Sequence, residues 1–140
     1  MGVVADVYSY LEAQGLAGGS TDWALVRRRL VDDPAVDQLV VLTEDGGLAP
    51  EIAESSGIGD SALQDTGIQV MVRAGPWDGD AGAAKAQEIL DALHGLRDTT
   101  LGSHTYRRVR AQTPEPIFLG FDDRGRPRHT MSFYLLSDLT

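Results

Sequence analysis

Between Gly67 and Leu93 the chain changes its hydrophobic period from two to about 3.6 within a few residues, and that change restricts the fold more than any other feature. Ile68, Val70 and Val72 alternate with Gln69, Met71 and Arg73, as a half-buried strand requires. Asp78 or Asp80 then offers a helix cap, and Ala83, Ala86, Ile89, Leu90 and Leu93 form one apolar stripe that ends near Gly95. A strand with one apolar face, followed at once by a helix with one apolar stripe, packs the second on the first. Ile68, Val70 and Val72 against Ile89, Leu90 and Leu93 are therefore the expected core.

The flanking sequence extends this unit in both directions. Met1 to Leu16 reads as a first helix, with Val4, Val7, Tyr8 and Leu11 at helical spacing and Gly15 as its C-cap. Thr21 to Leu42 is ambiguous between strand and helix in its first half. After Pro34 it closes with Leu39-Val40-Val41-Leu42, a buried-strand pattern. Strands are expected again over Thr105 to Gln112, Ile117 to Phe121 and Arg128 to Leu136. The last two are joined by Asp122-Asp123-Arg124-Gly125 as a hairpin. Met131, Phe133 and Leu135 would share one face of the final strand. The expected fold class is α/β in the α+β sense: a mixed or mainly antiparallel sheet of about four to five strands with two main helices. One domain over residues 1 to 140 suits the length.

One segment departs from this regularity. From Thr43 to Thr66 glycine, serine and acidic residues replace the apolar pattern, so a long acidic loop is expected after the first strand region. It exceeds the roughly 12 to 15 residues usual for an unstructured connection. A loop of that length is either a functional arm ordered by a partner or a tip without a role.

Charge narrows the partners. With 12 Lys+Arg against 21 Asp+Glu the formal charge is −9, which opposes general phosphate-backbone binding. The asymmetry matters too: residues 1 to 99 carry 17 acids and 6 bases, residues 100 to 140 only 4 acids and 6 arginines. If the fold separates the two sets, opposite patches on neighbouring copies can meet; a solvated surface is the blander account. No apolar run reaches the roughly 18 residues of a spanning helix, and the first fifteen residues lack a basic lead, so neither membrane nor signal segment is expected.

The sequence presents no catalytic constellation. The absence of cysteine removes disulfides, thiol nucleophiles and thiolate-held metals. His94, His104 and His129 stand in no metal-binding spacing, and His94 beside Gly95 reads first as a helix-end residue. Asp122-Asp123 reads as turn chemistry, because aspartates bond the nearby backbone. Gly15 through Gly19 lacks the lysine and the preceding strand of a phosphate loop. No cofactor or metal is implied. What remains is arginine: Arg108 and Arg110 on one strand face, Arg107 on the other, and Arg126 and Arg128 opening the last strand. Eleven arginines to one lysine suits bidentate pairing with carboxylates across an interface, and a solvated sheet face accounts for them equally well.

Several strings carry a resemblance. Gly67-Ile68-Gln69-Val70-Met71-Val72-Arg73 leads into Trp77, Ala81 and the helix through Leu93, and Phe118-Leu119-Gly120-Phe121-Asp122-Asp123-Arg124-Gly125-Arg126 is followed by Ser132-Phe133. These resemble the tail terminator proteins of long-tailed bacteriophages, also described as minor capsid or tail completion proteins, with Trp77 where tyrosine is usual and Ser132 where asparagine is. The resemblance implies a small α/β protein that forms a six-fold ring at the head-proximal end of the tail tube, stops tube polymerisation and offers a surface for head joining. Its implied partners are further copies of itself, the tail tube protein and the head connector or stopper, and double-stranded DNA would pass through the ring without specific binding. The implied location is the tail or neck of the virion, after assembly in the host cytoplasm. The residues proposed for these contacts are Arg107, Arg108, Arg110, Arg126 and Arg128, with the loop acids Glu44, Asp45, Glu51, Glu54, Asp60 and Asp65. The alternatives are another neck, connector or tube-like component, or a small ligand-binding or enzymatic domain that uses a histidine with Asp122.

Overall fold

The computed structural model describes residues 2–28, 36–44, 51–52 and 62–138. Two helices, α1 (Val3–Ala13) and α2 (Gly79–Leu93), accompany eight strands: β1 (Ala24–Arg27), β2 (Leu39–Glu44), β3 (Glu51–Ile52), β4 (Ala62–Arg73), β5 (Arg97–Leu101), β6 (His104–Ala111), β7 (Ile117–Phe121) and β8 (Pro127–Asp138). The class matches the α+β expectation, but the sheet has eight strands rather than four or five. β1, β3 and β5 are the additions. Each is short or polar: β3 has two residues, and β5 buries only Leu101 among its five.

The sheet runs β1-β2-β4-β8-β6-β5, with β3 added on β4 and β7 on β8. Only β1 and β2 are parallel; every other pair is antiparallel. β4 and β8, twelve residues each, are paired from Leu63–Asp138 to Arg73–Arg128 and form the spine. β6 and β7 share the other side of β8, β6 at residues 133–136 and β7 at residues 127–130.

The core forms where the alternating faces meet the helices. Val40, Leu42, Ile68, Val70, Val72, Met131, Phe133 and Leu135 are buried, and α1 adds Val4, Val7 and Leu11 while α2 adds Ala86, Ile89, Leu90 and Leu93. Ala83, expected in the α2 stripe, is exposed, and Gly82 takes the buried place instead because His129 leaves a Cβ there only 3.2 Å of room. The α2 cap is Asp78, which accepts the Ala81 N–H at 3.2 Å.

Asp6 fastens α1 to the β5–β6 turn. Its buried carboxylate accepts the Tyr106 hydroxyl at 2.6 Å, the Ser103 N–H and hydroxyl at 3.1 Å each, and pairs with His104 Nδ1 at 2.8 Å. Burial pushes the Asp6 carboxyl up, but those donors outweigh it and hold its pKa below the usual 3.8. Tyr106 moves the opposite way: burial and the Asp6 charge both raise its pKa.

The segment expected as one loop over 43–66 is largely strand where it is described. Thr43 and Glu44 complete β2, Glu51 and Ile52 form β3, and β4 already begins at Ala62. Backbone pairing with β8 draws the polar start of β4 into the sheet although its side chains do not alternate in polarity.

Candidate assembly surface

The β7–β8 hairpin is built on Asp122. One carboxylate oxygen accepts the N–H groups of Arg124 and Arg126, both at 2.9 Å, and the other accepts Arg126 Nε at 2.8 Å. Gly125 closes the turn at φ 74°, a conformation that favours glycine. Burial raises the Asp122 carboxyl, but the backbone donors of Arg126 and Arg124 and the Arg126 guanidinium prevail and lower its pKa. The turn expected from sequence is therefore an Asp-centred hydrogen-bond hub.

Around this turn lies an apolar surface. Trp77 donates its backbone N–H to the Gly125 carbonyl at 2.7 Å and lays its indole where a Gly125 Cβ would come within 2.6 Å of the ring. Its side chain meets Phe121 at 5.0 Å between centroids, Phe121 meets Phe118 at 5.4 Å, and Phe118 meets His129 at 5.2 Å. Even so, Trp77 is 74% exposed and Phe118 52%, with Ile117, Leu119 and Phe121 close behind. The exposed large apolar side chains among the described residues are Trp77 and four residues of β7, of which Phe118 shares the sheet face of His129 while Ile117, opposite Thr130, lies on the other. No residue of β7 is buried, so the strand lacks the covered face that ordinarily supports one.

Beside the patch, Arg73, Arg124, Arg126 and Arg128 line a cleft of about 520 Å³ with Phe121, Asp122 and Asp123. Arg73 is buried and donates to the Asp37 carbonyl at 3.1 Å and the Val36 carbonyl at 2.6 Å. Arg128 faces it across the β4–β8 ladder, half-buried, and its Nε is enclosed without a hydrogen-bond partner.

The structure divides the residues expected at the interface. Arg107 and Arg108 are exposed on β6, while Arg110 lies 4.9 Å from the Tyr134 ring centroid. Arg126 is not a surface residue: it is 1% exposed, held by Asp122 and, at 3.7 Å, by Asp37. Glu44 is paired with Arg28 at 2.6 Å, and Asp65 is buried in β4 opposite Leu136. Neither belongs to a loop, because strand pairing claims both. Glu51 lies in β3, and Asp45, Glu54 and Asp60 lie outside the described residues. Sequence reasoning missed Arg73, read only as a polar strand position, and treated Trp77 as a helix-entry residue. A tryptophan beside a hairpin rich in Phe was the available signal.

The histidines have structural partners. His94 Nδ1 accepts the Ala111 N–H at 2.9 Å, and His129 is buried between Phe118 and Gly82, its pKa lowered by that burial. Ser103, His104 and Asp6 are adjacent, but Ser103 Oγ, at 3.2 Å, and Asp6 both address the same ring nitrogen, Nδ1. A proton relay needs the serine and the carboxylate on opposite nitrogens. Asp122 is committed to its turn, and no group of three or more metal-ligating side chains occurs among the described residues. No described helix is long and apolar enough to cross a membrane.

Two helices close the core, and among the described residues the exposed large apolar side chains lie on β7 and at Trp77 beside its hairpin, so the fold is a small α+β subunit with one apolar region left open. The chain belongs to the bacteriophage tail terminator family, whose model matches residues 32–138, and so is a structural protein of the phage tail. Among solved structures it resembles a chain in the virion of a native gene transfer agent particle, with 17% identity and a TM-score of 0.57 over 99% of this chain and 100% of that one. This likeness shows a shared fold. No curated protein matches the chain.

Proposed function

We propose that this protein caps the head-proximal end of the tail tube as a homo-oligomeric ring of six copies, stops tube polymerisation and provides the surface for head joining. The observation that carries the reading is the exposed Trp77–Phe118–Phe121 patch in a chain of the tail terminator family. A monomer leaves such a surface wet, and assembly covers it. The virion context of the structural neighbour and the charge of −9, which lets DNA pass a ring without adhering, support it further. Arg108, exposed on β6, and Arg128, whose Nε has no partner, are the arginines of the expected set offered to carboxylates of neighbouring subunits or of the tube protein, and the connector or stopper is the second partner.

The test is a stop codon in this gene of the source phage, with tail length and head attachment scored by electron microscopy. Overlong or irregular tubes beside unjoined full heads are the expected result. Tails of normal length that fail to join would move the protein into the connector, and normal virions would overturn a role in the neck altogether.

A further inference from the structure

The pairing registers align β1, β2, β4, β8 and β7 in one row: Ala24 with Leu39, Leu39 with Arg73, Arg73 with Arg128, and Arg128 with Gly120. Two residues along, or three on β7 where the register shifts between Phe118 and Gly120, Val26, Val41, Met71, Thr130 and Ile117 form a second row at one level. β1 and β7 are thus the two edges of a single five-strand ribbon. They have nearly equal length, four and five residues, and neither pairs with a second strand among the described residues. Four inter-strand spacings of about 4.8 Å put them about 19 Å apart, so they cannot meet within one molecule.

We propose that the outer edge of β7 in one copy pairs with the outer edge of β1 in the next, so that one sheet continues from subunit to subunit around the ring. This rests on the ring reading above and names the surfaces that close it. Direction is the first argument. β2 opposes β4, β4 opposes β8 and β8 opposes β7, so β1 and β7 run in opposite senses. A rotation about an axis along the strands then sets β1 of the neighbour antiparallel to β7, the more stable pairing. The contact joins two different edges and is heterologous, as a closed ring demands.

Charge is the second argument. Beside the start of β1 lies a cleft of about 690 Å³ whose charged lining is Asp22, Asp37 and Asp78; Asp37 is already bridged to Arg126 at 3.7 Å, which leaves Asp22 and Asp78 to face a neighbour. Beside the end of β7, at the same level of the sheet, lies the arginine cleft, with the enclosed and unpartnered Nε of Arg128. Lateral addition of copies sets acidic cleft against basic cleft and brings a carboxylate to a guanidinium that lacks one. A two-fold contact of β7 with β7 would instead oppose two arginine clefts. Ile117, Phe118, Leu119 and Phe121 stand on β7 itself, so a strand added at its outer edge packs beside them.

Cysteine trapping tests this directly, because the chain has no native cysteine. Tails are isolated from phage carrying Val26→Cys, Ile117→Cys or both, treated with a short bismaleimide and run under denaturing conditions. The expected result is a ladder of covalent multimers from the double variant only. Cross-linking by Ile117→Cys alone would establish a two-fold contact and overturn the proposal, as would a double variant that stays monomeric in tails of normal length. A charge pair guards against a misplaced thiol: Arg128→Glu should abolish incorporation into tails, and Asp22→Arg with Arg128→Glu should restore at least half of it. No rescue, with both variants folded by circular dichroism, would overturn the charge register. The ring reading fails separately, if wild-type tails hold the protein as a single copy.

Discussion

Two aspartates anchor opposite ends of this molecule, and the same chemistry serves different ends. Asp6 and Asp122 each collect backbone N–H groups and side-chain donors, and both have pKa values held low against burial. Asp6 is sealed between α1, Ser103 and Tyr106, so its hydrogen bonds fasten a helix to the sheet. Asp122 fixes a turn whose neighbours Trp77, Phe118 and Phe121 remain in solvent, so its hydrogen bonds hold a surface in position. One hub closes the fold; the other presents it.

Removing the closed hub should cost most. Asp6→Ala leaves the buried Tyr106 hydroxyl without its acceptor and removes the ties to Ser103 and His104, and is expected to lower unfolding free energy by about 3 kcal/mol. A urea titration that moves by less than about 1 kcal/mol would place Asp6 on the presenting side of the comparison. Second in size is Gly125→Ala, which sets a Cβ into the Trp77 indole and strains a φ of 74°. It should cost on the order of 2 kcal/mol and release Trp77 from its seat. Nuclear magnetic resonance of the indole N–H would report the release.

The paired contrast comes next. Phe118→Ser with Leu119→Ser should cost about 1 kcal/mol, because both side chains are about half exposed, yet abolish tail completion. A large loss of stability would mean that the patch belongs to the core after all. Smallest is the pH response. Asp6 has a folded pKa below its unfolded value of 3.8, so its contribution is complete above that value and is lost as pH falls through the folded one. Asp6→Asn should therefore flatten the acid limb of the stability profile, measured by thermal unfolding from pH 5 to about 2.

Legibility in the sequence follows the same division. The spine and its helix were readable because Ile68, Val70 and Val72, the α2 stripe and the Met131–Phe133–Leu135 alternation each repeat a local period that burial enforces. β5 was not, since Arg97-Asp98-Thr99-Thr100 shows water to most of its side chains and is a strand only because β6 supplies a partner. Asp6 escaped notice because its partners lie about a hundred residues away, and no spacing rule spans that interval. The arginines were counted as one group by their nearness in sequence. Pairing then sent Arg107 and Arg108 to one half of β8 and Arg126 and Arg128 to the other, where Arg73 joined them from a different strand.

The unequal placement of the two tryptophans gives the molecule a built-in optical gauge. Trp23 is enclosed in the core, so its emission reports whether the chain is folded; Trp77, leaning on Gly125 in open solvent, emits toward the red. A joint that forms over β7 would dry the second indole, whereas the first is already enclosed before assembly. Subunit addition can therefore be followed in real time as a blue shift in a native protein, with no dye attached.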